Sequence, residues 1–132
     1  MKIIDIPFVK FLNITQSDCL QLFFQKELTN HVGSLHAGVL YTLAETQSGL
    51  FLQEQFNHLP NVQALLRAGE IKYKKEAKSE VKAQAFASKE ELEKFETTLQ
   101  KRGKALIKVT IELQSKNEII ASGTFTWFVR LL

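Results

Sequence analysis

Residues 30–56, NHVGSLHAGVLYTLAETQSGLFLQEQF, decide how the fold is read. Val39, Leu40, Leu43, Leu50 and Phe51 recur at helical spacing, and no break appears before Asn57 to Pro60. That pattern predicts one long, mostly buried helix. Within its apolar frame lies a polar notch, Glu45, Thr46, Gln47 and Ser48. A carboxylate in a core helix is expensive to bury unless it is paired or put to use, whereas Thr46, Gln47 and Ser48 are expected to satisfy polar atoms at an interface. The helix entrance, Gly33, Ser34, His36 and Gly38, leaves backbone N–H groups free and lets another molecule come close. One helix therefore carries a candidate anion-binding end and, about two and a half turns further on, a candidate acid or base.

Working outward, Lys2 to Leu12 is β-prone and predicts a short first strand. Thr15 or Ser17 would then cap a helix, with Leu20, Phe23, Phe24 and Leu28 forming one apolar stripe. After the central helix, His58 to Asn61 reads as a turn, and from Val62 the period becomes two. Val62 to Lys75 is expected as a strand, bent or bulged near Gly69. Val81, Ala83, Ala85 and Ala87 put small residues on one strand face, leaving room for a helix to pack. Ser88 and Glu91 fit a capping box that opens a surface helix from Lys89 to about Leu99, stopped by Gly103. Lys104 to Leu113 and Ile119 to Val129 alternate as two strands joined by a turn at Ser115 to Asn117. The sum is an α+β chain in which a curved antiparallel sheet wraps a long helix.

The totals fit that architecture. A chain of 132 residues, 45% hydrophobic with ten Phe, is most simply one domain, 1–132, with a real core. A net charge of +3 and a pI near 9.0 are too mild to argue for nucleic acid, and suit a phosphate-bearing ligand as well. The single cysteine, Cys19, excludes an intrachain disulfide and is expected to be a small, at least half-buried residue. No metal cluster and no cofactor is called for. The start, MKIIDIPFVKF, is interrupted by Asp5 and Pro7 and reads poorly as a secretory signal. No run approaches the roughly 18 apolar residues of a membrane span, so a soluble, cytoplasmic protein is the expectation.

The stretch HVGSLHAGVLYTLAE resembles the hotdog-fold acyl-CoA thioesterases, above all the branch with the phenylacetate-pathway and hydroxybenzoyl-CoA enzymes. Their pattern is Asn or Gln, five residues, His-Gly-Gly, an apolar helix, and Asp or Glu nine residues after the His. Here Asn30 lies six before His36, and Glu45 nine after it. His36-Ala37-Gly38 departs from His-Gly-Gly, and Gly49, with Ser48 beside it, stands where the family often has Ser or Thr. The helix from Lys89 is similar to that of a less characterised hotdog branch, grouped with thioesterases on fold grounds.

The resemblance implies a homodimer, or a dimer of dimers, with active sites at the subunit interface. It implies hydrolysis of an acyl-CoA or acyl-carrier thioester: the Ala37 N–H polarises the carbonyl, and Glu45 acts as general base or nucleophile. Asn30 would orient water or carboxylate, and His36 would hold the loop or touch the thioester, with Gly38 and Ser48 near the substrate. His36 and Glu45 are about 13 Å apart along one helix, so one subunit's entrance would meet the other's carboxylate. Arg67, Lys72 and Lys74, with Lys75 and Lys78, form a basic run that is either a solvated sheet edge or a mouth for coenzyme A phosphates. Lys101, Arg102 and Lys104 are a second candidate for that mouth, and His31 and His58 read as exposed loop residues. Phe51, Phe86, Phe125 and Trp127 are the side chains whose facing would set an acyl tunnel's depth. The alternatives are a hotdog protein that binds acyl groups without cleaving them, and a dehydratase on the same fold.

Overall fold

A computed structural model of the chain describes residues 1–59 and 61–132. Pro60, expected in the turn after the central helix, lies outside them. The long helix, α2, runs Ala37–Gln55. His36 caps it, its Nδ1 accepting the Gly38 N–H at 2.8 Å. Val39, Leu40, Leu43, Ala44, Leu50 and Leu52 are buried on more than one side of the helix, the mark of a helix enclosed by its own domain rather than lying on it.

The enclosure is one six-stranded antiparallel sheet, ordered β1-β2-β4-β5-β6-β3. Its strands are β1 Thr15–Gln16, β2 Leu20–Leu22, β3 Val62–Tyr73, β4 Val81–Phe86, β5 Lys104–Ser115 and β6 Glu118–Leu131. Along β5, Ala105, Ile107, Val109, Ile111 and Leu113 all turn to the core, as the alternation requires. Lys116 and Asn117 make the hairpin turn with φ of 52° and 63°, the left-handed pair that two-residue hairpins favour. Val81 and Ala83, fully buried, let α2 lie close on β4. The α+β reading of a long helix wrapped by a curved antiparallel sheet holds.

The inserted helix, α3, spans Lys89–Arg102, three residues beyond its expected end. Ser88 accepts the Glu91 N–H, and Gly103 closes the helix at φ 75°. Phe95 and Leu99 bury against the sheet, and Phe95 meets Phe56 with ring centroids 5.0 Å apart.

The first thirty residues differ from expectation. Lys2 to Leu12 is no strand: a 3-10 turn at Ile3–Asp5 leads into a short helix, α1, Pro7–Phe11. Proline is preorganised for the first helical position, and Val9 and Leu12 are buried three residues apart. The helix expected after Thr15 is instead the β1–β2 hairpin and a 3-10 turn at Lys26–Leu28. Leu20 and Leu22 are both fully buried, a period of two, while Phe23 and Phe24 are exposed; the apparent stripe is not one face. Cys19, in the hairpin turn, is half-buried.

Strand β3 bulges between Leu66 and Ala68, two residues before Gly69. Gly69 serves close approach, because a Cβ there would stand 2.2 Å from the Tyr41 hydroxyl oxygen. Through the bulge, Leu66, Gly69, Ile71 and Tyr73 keep to the inner face opposite Trp127, Phe125, Gly123 and Ala121. Strand β3 is also a sheet edge, paired among the described residues only with β6 over its twelve residues.

Candidate active site

The loop into α2 is built around Asn30. Its Oδ1 accepts from the N–H groups of Val32 (3.0 Å) and Ser34 (3.1 Å), and its Nδ2 donates to Ser34 Oγ at 2.9 Å. Gly33 turns the loop at φ 79°. Asn30 is therefore committed to shaping the helix entrance, more than to orienting a water. The Gly38 N–H is likewise spent on His36. That leaves the Ala37 N–H, at the first helical position, as the entrance donor with no partner among the described residues.

Two clefts flank this entrance. One, of about 270 Å³, brings Asn30 and Ala37 together with Ser34, Tyr73 and Lys74. The other, of about 330 Å³, holds His36 and Gly38 with Phe8, Glu27 and Thr42. Ala37 and His36 thus open to different sides of the helix start. Tyr73, which nothing in the sequence marked, ties the first cleft to the sheet: its hydroxyl donates to the Ala37 carbonyl at 2.9 Å. Burial, and after it the neighbouring Tyr41, pushes the Tyr73 hydroxyl's pKa up. Only the register of β3, which turns odd-numbered residues inward after the bulge, brings Tyr73 to residue 37.

The expected basic mouth is dispersed. Lys74 lines the first cleft, but Lys72 alternates with Tyr73 and so stands on the sheet's outer face. Arg67, at the bulge, lies over the Phe128 ring at 4.9 Å, also outside. Lys75 pairs with Glu118 at 2.7 Å. His58, as expected, is exposed, and it hydrogen-bonds Glu96.

The polar notch divides sharply. Leu20 donates its N–H to Gln47 Oε1 at 2.8 Å, and Thr46 Oγ1 donates to the Thr42 carbonyl at 2.6 Å. Ser48 Oγ donates to the Glu45 carbonyl and accepts the Trp127 Nε1–H at 2.8 Å. Ser48 is fully buried. The expectation that it meets substrate, and that the trio serves an interface, is corrected: these groups are satisfied inside the chain. Glu45 is the exception. Its carboxylate is half-buried and has no cation or hydrogen-bond donor among the described residues. Burial pushes its pKa up from the ordinary 4.5. It lies between Tyr41 and Gly49, one turn away on either side, and these meet Gly69 of β3 and Trp127 of β6. The carboxylate therefore belongs to the helix side turned to the sheet's β3 end.

The chain belongs to the family described as Domain of unknown function (DUF4442), matched over residues 8–129. Solved structures share its fold. PA5026 of Pseudomonas aeruginosa, a protein of unknown function called a probable thioesterase, is 24% identical over 97% of this chain and 90% of that one, at a TM-score of 0.82. A Chlorobaculum tepidum protein of unknown function is 19% identical over 97% and 88%, at 0.78. The BH2602 protein of Bacillus halodurans, solved with CoA, is 22% identical over 92% and 74%, at 0.70. No curated protein matches the chain. At these identities the likeness is one of fold, the hotdog, and this DUF4442 chain has it. None of its described helices is long and apolar enough to cross a membrane.

Proposed function

We propose that this DUF4442 chain hydrolyses an acyl thioester as a homodimer, with coenzyme A or an acyl carrier as the leaving group. The observation that carries the reading is Glu45: a half-buried carboxylate with raised pKa and no partner among the described residues, on a helix whose neighbours at that point are all satisfied. Such a group is tuned toward the working pH of a general base. The Ala37 N–H, at the positive end of α2, supplies the second half of the chemistry.

The two lie about 12 Å apart along the helix, too far to share one carbonyl. The bare edge of β3 supplies the reason to bring in a second copy. A long unpaired edge strand templates pairing, and a two-fold axis across it sets one copy's Glu45 toward the other's helix entrance. In that arrangement Glu45 takes a proton from water, and the oxygen attacks the thioester carbon. The carbonyl oxygen gathers negative charge against the Ala37 N–H. Collapse breaks the C–S bond, and the proton held by Glu45 goes to the departing thiolate. Lys74, at the rim of the Ala37 cleft, offers charge for a phosphate. The CoA held by the Bacillus halodurans protein of the same fold favours coenzyme A thioesters. Purified protein, a thiol-trapping dye and a panel of acyl-CoAs test the reading. Release of free thiol at enzymic rates supports it; measurable binding with no turnover on any acyl group leaves a non-hydrolytic acyl-CoA binder instead.

A further inference from the structure

A third, larger cavity, of about 430 Å³, lies at the far half of α2. It is walled by Ile3 and Ile6 of the N-terminal segment, Leu52 of α2 and Phe56 just past its end, Phe95 of α3 and Trp127 of β6. No charged side chain lines it among the described residues. Its polar side chains are spoken for or sit at the rim: the Trp127 Nε1–H is donated to Ser48, the exposed Gln53 donates to the Met1 carbonyl at 3.2 Å, and Asn57 is exposed at the end of the helix. Ala64, exposed although it points to the inner face of β3, marks the open side. The cavity therefore opens at the bare sheet edge, and Gly49, in its wall, is one helical turn beyond Glu45.

Gly49 keeps the space open. A Cβ there would stand 3.3 Å from Trp127 Cζ2 and 3.4 Å from Cη2, so the benzene edge of the indole packs directly on the helix backbone. A larger residue at 49 would have to displace that ring or fill the cavity, because Gly49 and Trp127 both line it.

We propose that this cavity receives an unbranched, saturated acyl chain of about ten carbons, an inference that rests on the thioester reading above. A methylene fills about the space of a water, roughly 30 Å³, so the volume suits a chain of about that length without perfect packing. A hydroxylated aryl group is disfavoured, because the free polar side chains of the lining, Gln53 and Asn57, stand at the exposed rim and the walls behind them are apolar.

The test uses uncleavable thioethers, so binding is read apart from hydrolysis. Titration calorimetry compares S-ethyl-CoA, S-decyl-CoA and S-(4-hydroxybenzyl)-CoA. Burying a methylene is worth about fourfold in affinity, and after ordering costs the decyl compound is expected to bind at least about 100-fold tighter than the ethyl. Ala64→Phe, on the exposed strand, and Gly49→Val, through Trp127, each shrink the cavity and should cut that ratio at least tenfold. Ethyl and decyl compounds binding within threefold, a decyl preference untouched by both variants, or a hydroxybenzyl compound binding as tightly as the decyl overturns the proposal. A decyl preference lost in the variants, with no cleavage of decanoyl-CoA by the wild type, upholds the cavity's ligand and removes the hydrolase reading. Cleavage of short acyl-CoAs without a decyl preference does the reverse.

Discussion

Within one turn of the central helix, four neighbouring polar residues meet two fates. Thr46, Gln47 and Ser48 face inward, and each has its hydrogen bond inside the chain. Glu45 sits among them with none, under a burial that raises its pKa. The contrast separates polar groups that stabilise the helix's docking from one that the fold tolerates at a cost. A buried polar atom with a good partner is close to neutral for stability, while an unpartnered carboxylate weighs against it. Strained or costly groups of this kind concentrate where function needs them.

Substitutions should break this contrast unequally. Glu45→Gln is expected to have the largest effect, a loss of about 100-fold or more in kcat/KM, within the usual range for a general base, measured by thiol release. The same change should raise the melting temperature at pH 7. The native pKa lies above 4.5, so the native state holds its proton longer than the unfolded chain. The penalty from Glu45 is absent below pH 4.5, grows as pH rises through the native pKa and is full above it. The variant's gain in melting temperature should follow that curve, and wild-type kcat/KM should fall on its acid limb as Glu45 takes up its proton. Gln47→Leu comes next. It leaves the Leu20 N–H buried without an acceptor, at a cost of about 1–3 kcal/mol, read by urea unfolding. Ser48→Ala, which frees the half-buried Trp127 Nε1–H, should cost about 1 kcal/mol in the same assay. A Gln47→Leu variant as stable as the wild type would erase the distinction.

How far the sequence carries depends on element length. The alternation of Ile107, Val109, Ile111 and Leu113 sits on a twelve-residue strand, where a one-residue slip would expose the whole face. The central helix is nineteen residues long and apolar nearly all round. Both were legible. The N-terminal elements run two to five residues. There, Leu20, Phe23, Phe24 and Leu28 match a helix by spacing, yet the partners of β2, namely β1, β4 and Gln47, make it a strand. Local pattern loses to tertiary contact over so few residues. The same limit applies at the site. Asn30, Ala37 and Glu45 were singled out through the family resemblance, but Tyr73 reaches Ala37 only through a bulged register, and the basic run was split between sheet faces by alternation.

The most direct test is complementation between two inactive variants. Ala37→Pro removes the proposed oxyanion donor. Proline suits the first helical position, and His36, at φ −63° and ψ 139°, already has the extended backbone a following proline demands. Glu45→Gln removes the base. Coexpressed, the two should form mixed dimers in which one of the two sites keeps both groups, restoring about a quarter of wild-type acyl-CoA hydrolysis. A mixture no more active than its two parents would contradict a site shared between copies.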